Sequence, residues 1–265
     1  MQRRRGFTLI ELLIVIVVGS VLAVVSVQFI SRSVQGSQDT AERQQLSASA
    51  QLLNERVSRA LRQSIPGSVR VTSDGRCIEY LPLLAATRYT QLDVAQPIAS
   101  LQAVPVSATD SVTGYWVVYP WANLASLYTL SNSGVVSSQP VTLAAGSTEV
   151  TVALAAVHTF PAHSPTQRAF ISGSPEAICQ QGSFVYQYRD YGFVTNINNL
   201  PAALPATEAA GRSVIGYPLS LNSVQFRVEP PTLQRNGLVS MSWRMGTNTG
   251  LSLPFAQEVQ IRNVP

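Results

Sequence analysis

The stretch RRRGFTLIELLIVIVVGSVLAVVSVQFI occupies positions 3–30. Three arginines lead into Gly6, and the run from Phe7 to Ile30 carries one charged side chain, Glu11. As an α-helix, 24 residues rising ~1.5 Å each span ~36 Å, more than the ~30 Å hydrocarbon core of a bilayer. Arg3, Arg4 and Arg5 predict that this end stays cytoplasmic and that the chain beyond about residue 31 lies across the membrane. A secretory signal peptide would have a shorter apolar core, ~7–15 residues, followed by a small-residue cleavage site. Here the run is longer, and residues 28–37 offer no such site.

The helical pattern does not stop at the end of the apolar run. Leu46, Ala50, Leu53, Val57, Leu61 and Ile65 recur at steps of three and four and form one apolar stripe. Arg43, Gln51, Asn54, Glu55, Ser58, Arg59 and Arg62 fall largely elsewhere, and Glu55 precedes Arg59 by four, the favourable order for a helical ion pair. No proline occurs before Pro66, and Pro66-Gly67 is a stop signal. The sequence therefore predicts one helix over residues 7–65, apolar all round in its first half and on one side in its second.

Composition bounds the rest. The chain has 265 residues, 46% hydrophobic and 12% charged, with 16 Pro and 16 Gly, which suits a β-rich, loop-rich body more than a helical bundle. Its net charge of +4 owes three units to Arg3, Arg4 and Arg5; without residues 1–6, 15 arginines face 14 acids. No basic patch remains to argue for nucleic acid.

After Pro66 the apolar period changes from 3.6 to 2. Strands are expected at 68–72, 77–81, 115–119, 126–130, 149–154, 168–172, 184–188, 223–228, 238–245 and 257–262. In the last third, Val224/Phe226/Val228, Val239/Met241/Trp243/Met245 and Val259/Ile261 alternate with mostly polar residues, the pattern of half-buried antiparallel strands. One face of this sheet is expected on the helical stripe from Leu46 to Ile65. Loops are expected at 103–114, 161–167 and 199–212, the last, with its Pro/Ala-rich NNLPAALPATEAAG, as a mobile surface excursion. The predicted fold class is α+β: a long N-terminal helix, transmembrane in its first half and amphipathic in its second, packed on an antiparallel β-sheet body. The boundaries are 1–6, 7–30, 31–65 and 66–265.

Signals for chemistry are few. His158 and His163, five apart across Pro161, read as surface-loop histidines, and no cysteine or acid cluster joins them as metal ligands. The acids show no calcium-loop run. There is no G-x-S-x-G, P-loop or G-x-G-x-x-G. Tyr186, Tyr188 and Tyr191 near Arg189 suggest either a ligand-facing aromatic strip or, the preferred reading, sheet packing. No catalytic residue, cofactor or metal site is expected.

The segment RRRG-FTLIELLIVIVV closely resembles the leader and N-terminus of type IV pilins and type II secretion pseudopilins: basic leader, Gly6, Phe7, then Thr8-Leu9-Ile10-Glu11 opening an apolar helix. ERVSRALRQSIPGSVRV (55–71), RCIEYLPLLAATRY (76–89) and EVQIRNVP (258–265) are similar to J-type pseudopilins and their pilus counterparts. The resemblance implies a leader of residues 1–6, cut between Gly6 and Phe7 by a prepilin peptidase, with N-methylation of Phe7. It implies an inner-membrane, single-pass subunit with a periplasmic body, later part of a filament or its tip. It also implies partners: other minor and major pilins, the peptidase, the inner-membrane assembly platform and membrane lipid. Glu11 would pair with the α-amino group of a neighbouring subunit. An intramembrane carboxylate costs on the order of 2.5–3.5 kcal/mol on insertion scales, and such pairing relieves both charges.

Major pilins commonly carry a Gly and a Pro inside the apolar segment. Here Gly19-Ser20 is present, but Gln28 stands where proline is expected, and the chain is longer than a typical major pilin; both point to a minor, low-copy component. Two alternatives stay open: a J-like pseudopilin of type II secretion, and a tip-displayed module gripping a glycan or surface. In an oxidising periplasm Cys77 and Cys179 are expected to form a disulfide.

Overall fold

The computed structural model describes residues 8–230, 236–246 and 250–261. Helix α1 (Leu9–Arg62) runs for 54 residues. Its polar interruptions are satisfied within the helix: Ser20 Oγ donates to the Val17 carbonyl and Thr40 Oγ1 to the Gly36 carbonyl, both at 2.8 Å. The helix ends three residues before the expected Ile65. There the backbone turns to a different partner, with Ile65 N–H donating to Leu81 O and Leu83 N–H to Gln63 O, both at 2.8 Å.

The chain divides into two units, Met1–Ser47 and Ala48–Pro265. In the first, every side chain from residue 8 to residue 45 is exposed. The second holds the remainder of α1 and all the described strands. These are β1 (Arg70–Val71), β2 (Cys77–Tyr80), β3 (Leu83–Gln91), β4 (Ile98–Ala103) and β5 (Val112–Val118). There follow β6 (Val141–Leu143), β7 (Val150–His158), β8 (Arg168–Ser172), β9 (Glu176–Gln181) and β10 (Phe184–Tyr188). The chain closes with β11 (Arg212–Gly216), β12 (Gln225–Glu229), β13 (Gly237–Gly246) and β14 (Ser252–Ile261). All named strand pairs are antiparallel.

Three sheets result. The first has the order β1-β2-β9-β10-β11. Because β2 pairs directly with β9, residues 83–172 form an insertion between two neighbouring strands. That insertion is a six-stranded sheet in the order β6-β5-β8-β3-β4-β7. Its outermost strands, β6 and β7, lie against each other, so the sheet curls on itself. Trp116, Leu143, Val152, Phe160 and Ile171 fill its interior. On the opposite side of β5 and β8, Val117 and Phe170 pack with Ile65 and Leu81. These two strands are buried on both faces, which explains their unbroken apolar runs. The third sheet, β12-β13-β14, buries Phe226, Val239, Met241, Trp243, Met245 and Val259, following the expected alternation.

The five-stranded sheet has two different faces. One, with Tyr80 and Gly216, meets the end of α1: Leu53 packs against Gly216, and the stripe residues Ala50, Leu53, Val57 and Leu61 are fully buried. The other carries Cys77, Cys179, Ala177 and Tyr188, and is covered by Tyr191, Val194, Ile197, Leu200 and Leu204.

Several expectations need correction. Residues 126–130 were expected as a strand, but Leu124–Tyr128 is a 3₁₀ helix. Leu127 and Tyr128 enter the same core cluster, which adjacent strand residues on opposite faces could not do. The segment 199–212 is not a free excursion: Leu200 is fully buried against the disulfide face, and β11 already begins at Arg212. Strands β3, β4, β6, β9 and β11 went unpredicted, since sequences such as LLAATRYTQ and EAICQQ lack alternation. Their pairing, not their own pattern, makes them strands.

Candidate functional site

The N-terminal site is built by the first turn of α1. Thr8 precedes the helix, and its Oγ1 accepts the Glu11 N–H at 3.4 Å, while its carbonyl accepts the Leu12 N–H at 3.2 Å. Thr8-Leu9-Ile10-Glu11 has the spacing of a capping box, in which a hydroxyl and an acid three residues later serve the free amides of a helix start. An acid in the first turn also meets the positive end of the helix dipole, worth ~0.3–1 kcal/mol. This local role for Glu11 was readable from the T-x-x-E spacing and was not drawn from it. Gly6 and Phe7, the expected cleavage and methylation positions, lie outside the described residues.

Beyond Glu11 the helix shows an apolar surface on every side. Leu12, Leu13, Ile14, Val15, Ile16, Val17 and Val18 are all more than half exposed, and Phe29 and Ile30 continue the belt. Among the described residues α1 is the one helix long and apolar enough to cross a membrane. In water such a surface would be strongly unfavourable; in lipid it needs no further partner.

The two cysteines meet. Cys77 of β2 and Cys179 of β9 are directly paired, with Cα atoms 4.2 Å apart and a disulfide between them. Glu79, two residues along β2, is fully buried and bonded to Arg70 Nε at 2.5 Å and to the Tyr191 hydroxyl at 2.9 Å. Burial pushes its carboxyl above the usual range, opposed by the Arg70 charge beside it. Arg70 also caps the Tyr128 ring at 3.5 Å and donates to the carbonyls of Val194 and Thr195. This cluster locks the segment after β10 onto the disulfide face; it is a structural network that no sequence spacing announces.

The tyrosine strip resolves as packing. Tyr188 is buried, Tyr186 lies 5.9 Å from it under the Arg212 guanidinium, and Tyr191 serves Glu79. Arg189 does not join them, because it bonds Glu176 on the other face of the sheet. The histidines part company as well. His163 is exposed, but His158 is buried at the end of β7, contrary to the surface-loop reading, because β7 runs four residues further than the alternation suggested. Among the described residues no three His, Cys, Asp or Glu side chains gather as a metal site.

Residues 1–27 match the prokaryotic N-terminal methylation motif. The match covers the arginine leader, Gly6, Phe7, Glu11 and most of the apolar run. No curated protein and no solved structure matches the chain.

Proposed function

We propose that the protein is a minor pilin, a low-copy structural subunit that acts in the assembly or priming of a type IV pilus of the mannose-sensitive haemagglutinin type. Prepilin peptidase cuts between Gly6 and Phe7, and Phe7 is N-methylated. Residues 7–30 hold the subunit in the inner membrane, and the body is periplasmic until the filament takes it up. The observation that carries this reading is the methylation motif running directly into an exposed, uninterrupted apolar helix with one acid in its first turn. A Glu11 that pairs with the amine of the next subunit places this chain below another, away from the outermost tip.

Two substitutions separate pairing from capping. Glu11→Ala removes the carboxylate, while the bond from the residue's backbone N–H to Thr8 Oγ1 survives. Glu11→Gln keeps the capping-box geometry, which accepts Glu or Gln, and removes the charge. Both variants should be processed normally and should reduce filament number alike. Normal piliation with Glu11→Gln would overturn the pairing role. Deletion of the gene, scored separately for surface pili and exoprotein secretion, tests the system: loss of secretion with normal pili would make the chain a J-like pseudopilin instead. Piliated but non-adherent variants in residues 199–212 would make the body an adhesive module.

A further inference from the structure

Where the last turns of α1 cross the five-stranded sheet, a cleft of ~560 Å³ opens. Arg56, Arg59 and Ala60, spaced to share one face of α1, form one wall, with Gln63 just past the end of the helix. Across from them stand Tyr80, Glu176, Gln187 and Arg189, with Leu84 on the rim. Three guanidinium groups thus line the cleft against one carboxylate.

That carboxylate is already satisfied. Glu176 accepts from Tyr80 Oη at 2.8 Å, Gln187 Nε2 at 2.6 Å and Arg189 Nε at 3.0 Å. Arg189 is engaged there through Nε. Among the described residues Arg59 pairs with Glu55 alone, one helical turn away, and both side chains are more than 60% exposed. Such a pair is worth little and exchanges readily. Arg56 has no ion pair or hydrogen bond among the described residues. Donors are therefore in excess, and they come from two elements that converge on one opening.

The chemistry of the walls selects the ligand. Guanidinium forks match carboxylates in bidentate geometry. Leu84, half exposed beside them, offers an apolar contact that a bare anion would not use. The near balance of charge over the rest of the chain argues against an extended polyanion such as nucleic acid. We propose that this cleft docks an acidic peptide segment of another protein chain, with its carboxylates on Arg56, Arg59 and Arg189 and an adjacent apolar side chain on Leu84. In the filament reading the segment belongs to a neighbouring subunit, but the binding itself stands apart from that reading.

The test uses the full chain in a non-ionic detergent and a fluorescein-labelled peptide, Leu-Glu-Glu-Leu-Glu-Glu, followed by anisotropy. The peptide should bind, more weakly as salt screens the charges, and its glutamine counterpart should bind about tenfold less tightly, a difference of ~1.4 kcal/mol. Arg56→Glu, at an exposed position, should weaken binding similarly, and Leu84→Ser should weaken it without changing the salt dependence. Equal binding of the two peptides, unchanged binding by Arg56→Glu, or inorganic phosphate bound as tightly as the peptide would overturn the proposal. Glu11→Ala should leave this binding unchanged, so failure here and failure of the filament reading are separate results.

Discussion

His158 ends β7 with its ring 4.5 Å from that of Phe160 and its Nε2 2.9 Å from the Gly134 carbonyl. Burial lowers its pKa below the ordinary 6.5, against the raising effect of the neighbouring carbonyls. The native state therefore holds fewer protons than the unfolded chain just below pH 6.5. Stability is full above that value and is lost as pH falls through the lower native pKa. Unfolding followed across this range should show the decline, and His158→Gln should flatten it. Tyr191 is a second case. Its hydroxyl is the donor to a fully buried Glu79 oxygen, so Tyr191→Phe leaves that oxygen without this partner. A loss of ~1–3 kcal/mol is expected from the uncompensated acceptor, measurable by chemical denaturation. Neither effect was legible in the sequence. His158, three residues before Pro161, reads as a surface-loop residue, and the packing reading of Tyr191 names no partner; long-range packing supplies both environments.

At the scale of elements, the contact between α1 and the five-stranded sheet turns on Leu53 and Gly216. Leu53 is fully buried, and Leu53→Ala should cost ~2–5 kcal/mol through lost burial and a residual cavity. A Cβ built on Gly216 would lie 2.9 Å from Leu53 Cδ2, so Gly216→Ala overfills the contact and should cost ~1–3 kcal/mol. The two changes relieve each other: the alanine methyl enters the space that the shortened Leu53 vacates. The double variant should thus lose less than the sum of the single losses. Additive losses in a double-mutant cycle would show that the two side chains do not share one packing contact. Here the stripe from Leu46 to Leu61 was legible, because a helix repeats its burial every three or four residues. The glycine that receives Leu53 was not, because its partner lies more than 160 positions away.

For the whole molecule, the governing feature is the insertion of residues 83–172 between two paired strands. The Cys77–Cys179 bond closes a loop of 102 positions that contains the entire six-stranded sheet. On the chain-entropy account such a loop is worth up to ~4.7 kcal/mol. The Cys77→Ala/Cys179→Ala variant should therefore unfold at markedly lower temperature than the parent, and reductant should shift the parent toward the variant. Parent and variant melting together under oxidising conditions would show that the bond adds nothing. The insertion is tied to the rest by more than this bond, since Val117 and Phe170 share a core with Ile65 and Leu81.

The sequence by itself determined the N-terminal segment. Arginine leader, apolar run, helix cap and amphipathic stripe are all set by neighbours within about four residues, where charge and periodicity act directly. It also marked β8 and β10 through their apolar and aromatic content, and β12 to β14 through an alternation that repeats along their own chain. The tertiary structure alone decided that β2 takes β9 as its neighbour, which brings the cysteines face to face and sets ninety residues aside as a separate curled sheet. It alone made LASLY a 3₁₀ segment, closed the Pro/Ala-rich stretch over the disulfide, and gathered three arginines around one cleft. These outcomes depend on pairing between distant strands. Backbone hydrogen bonds between strands carry no side-chain signature of their own, so only the packed chain reveals which partner each strand takes.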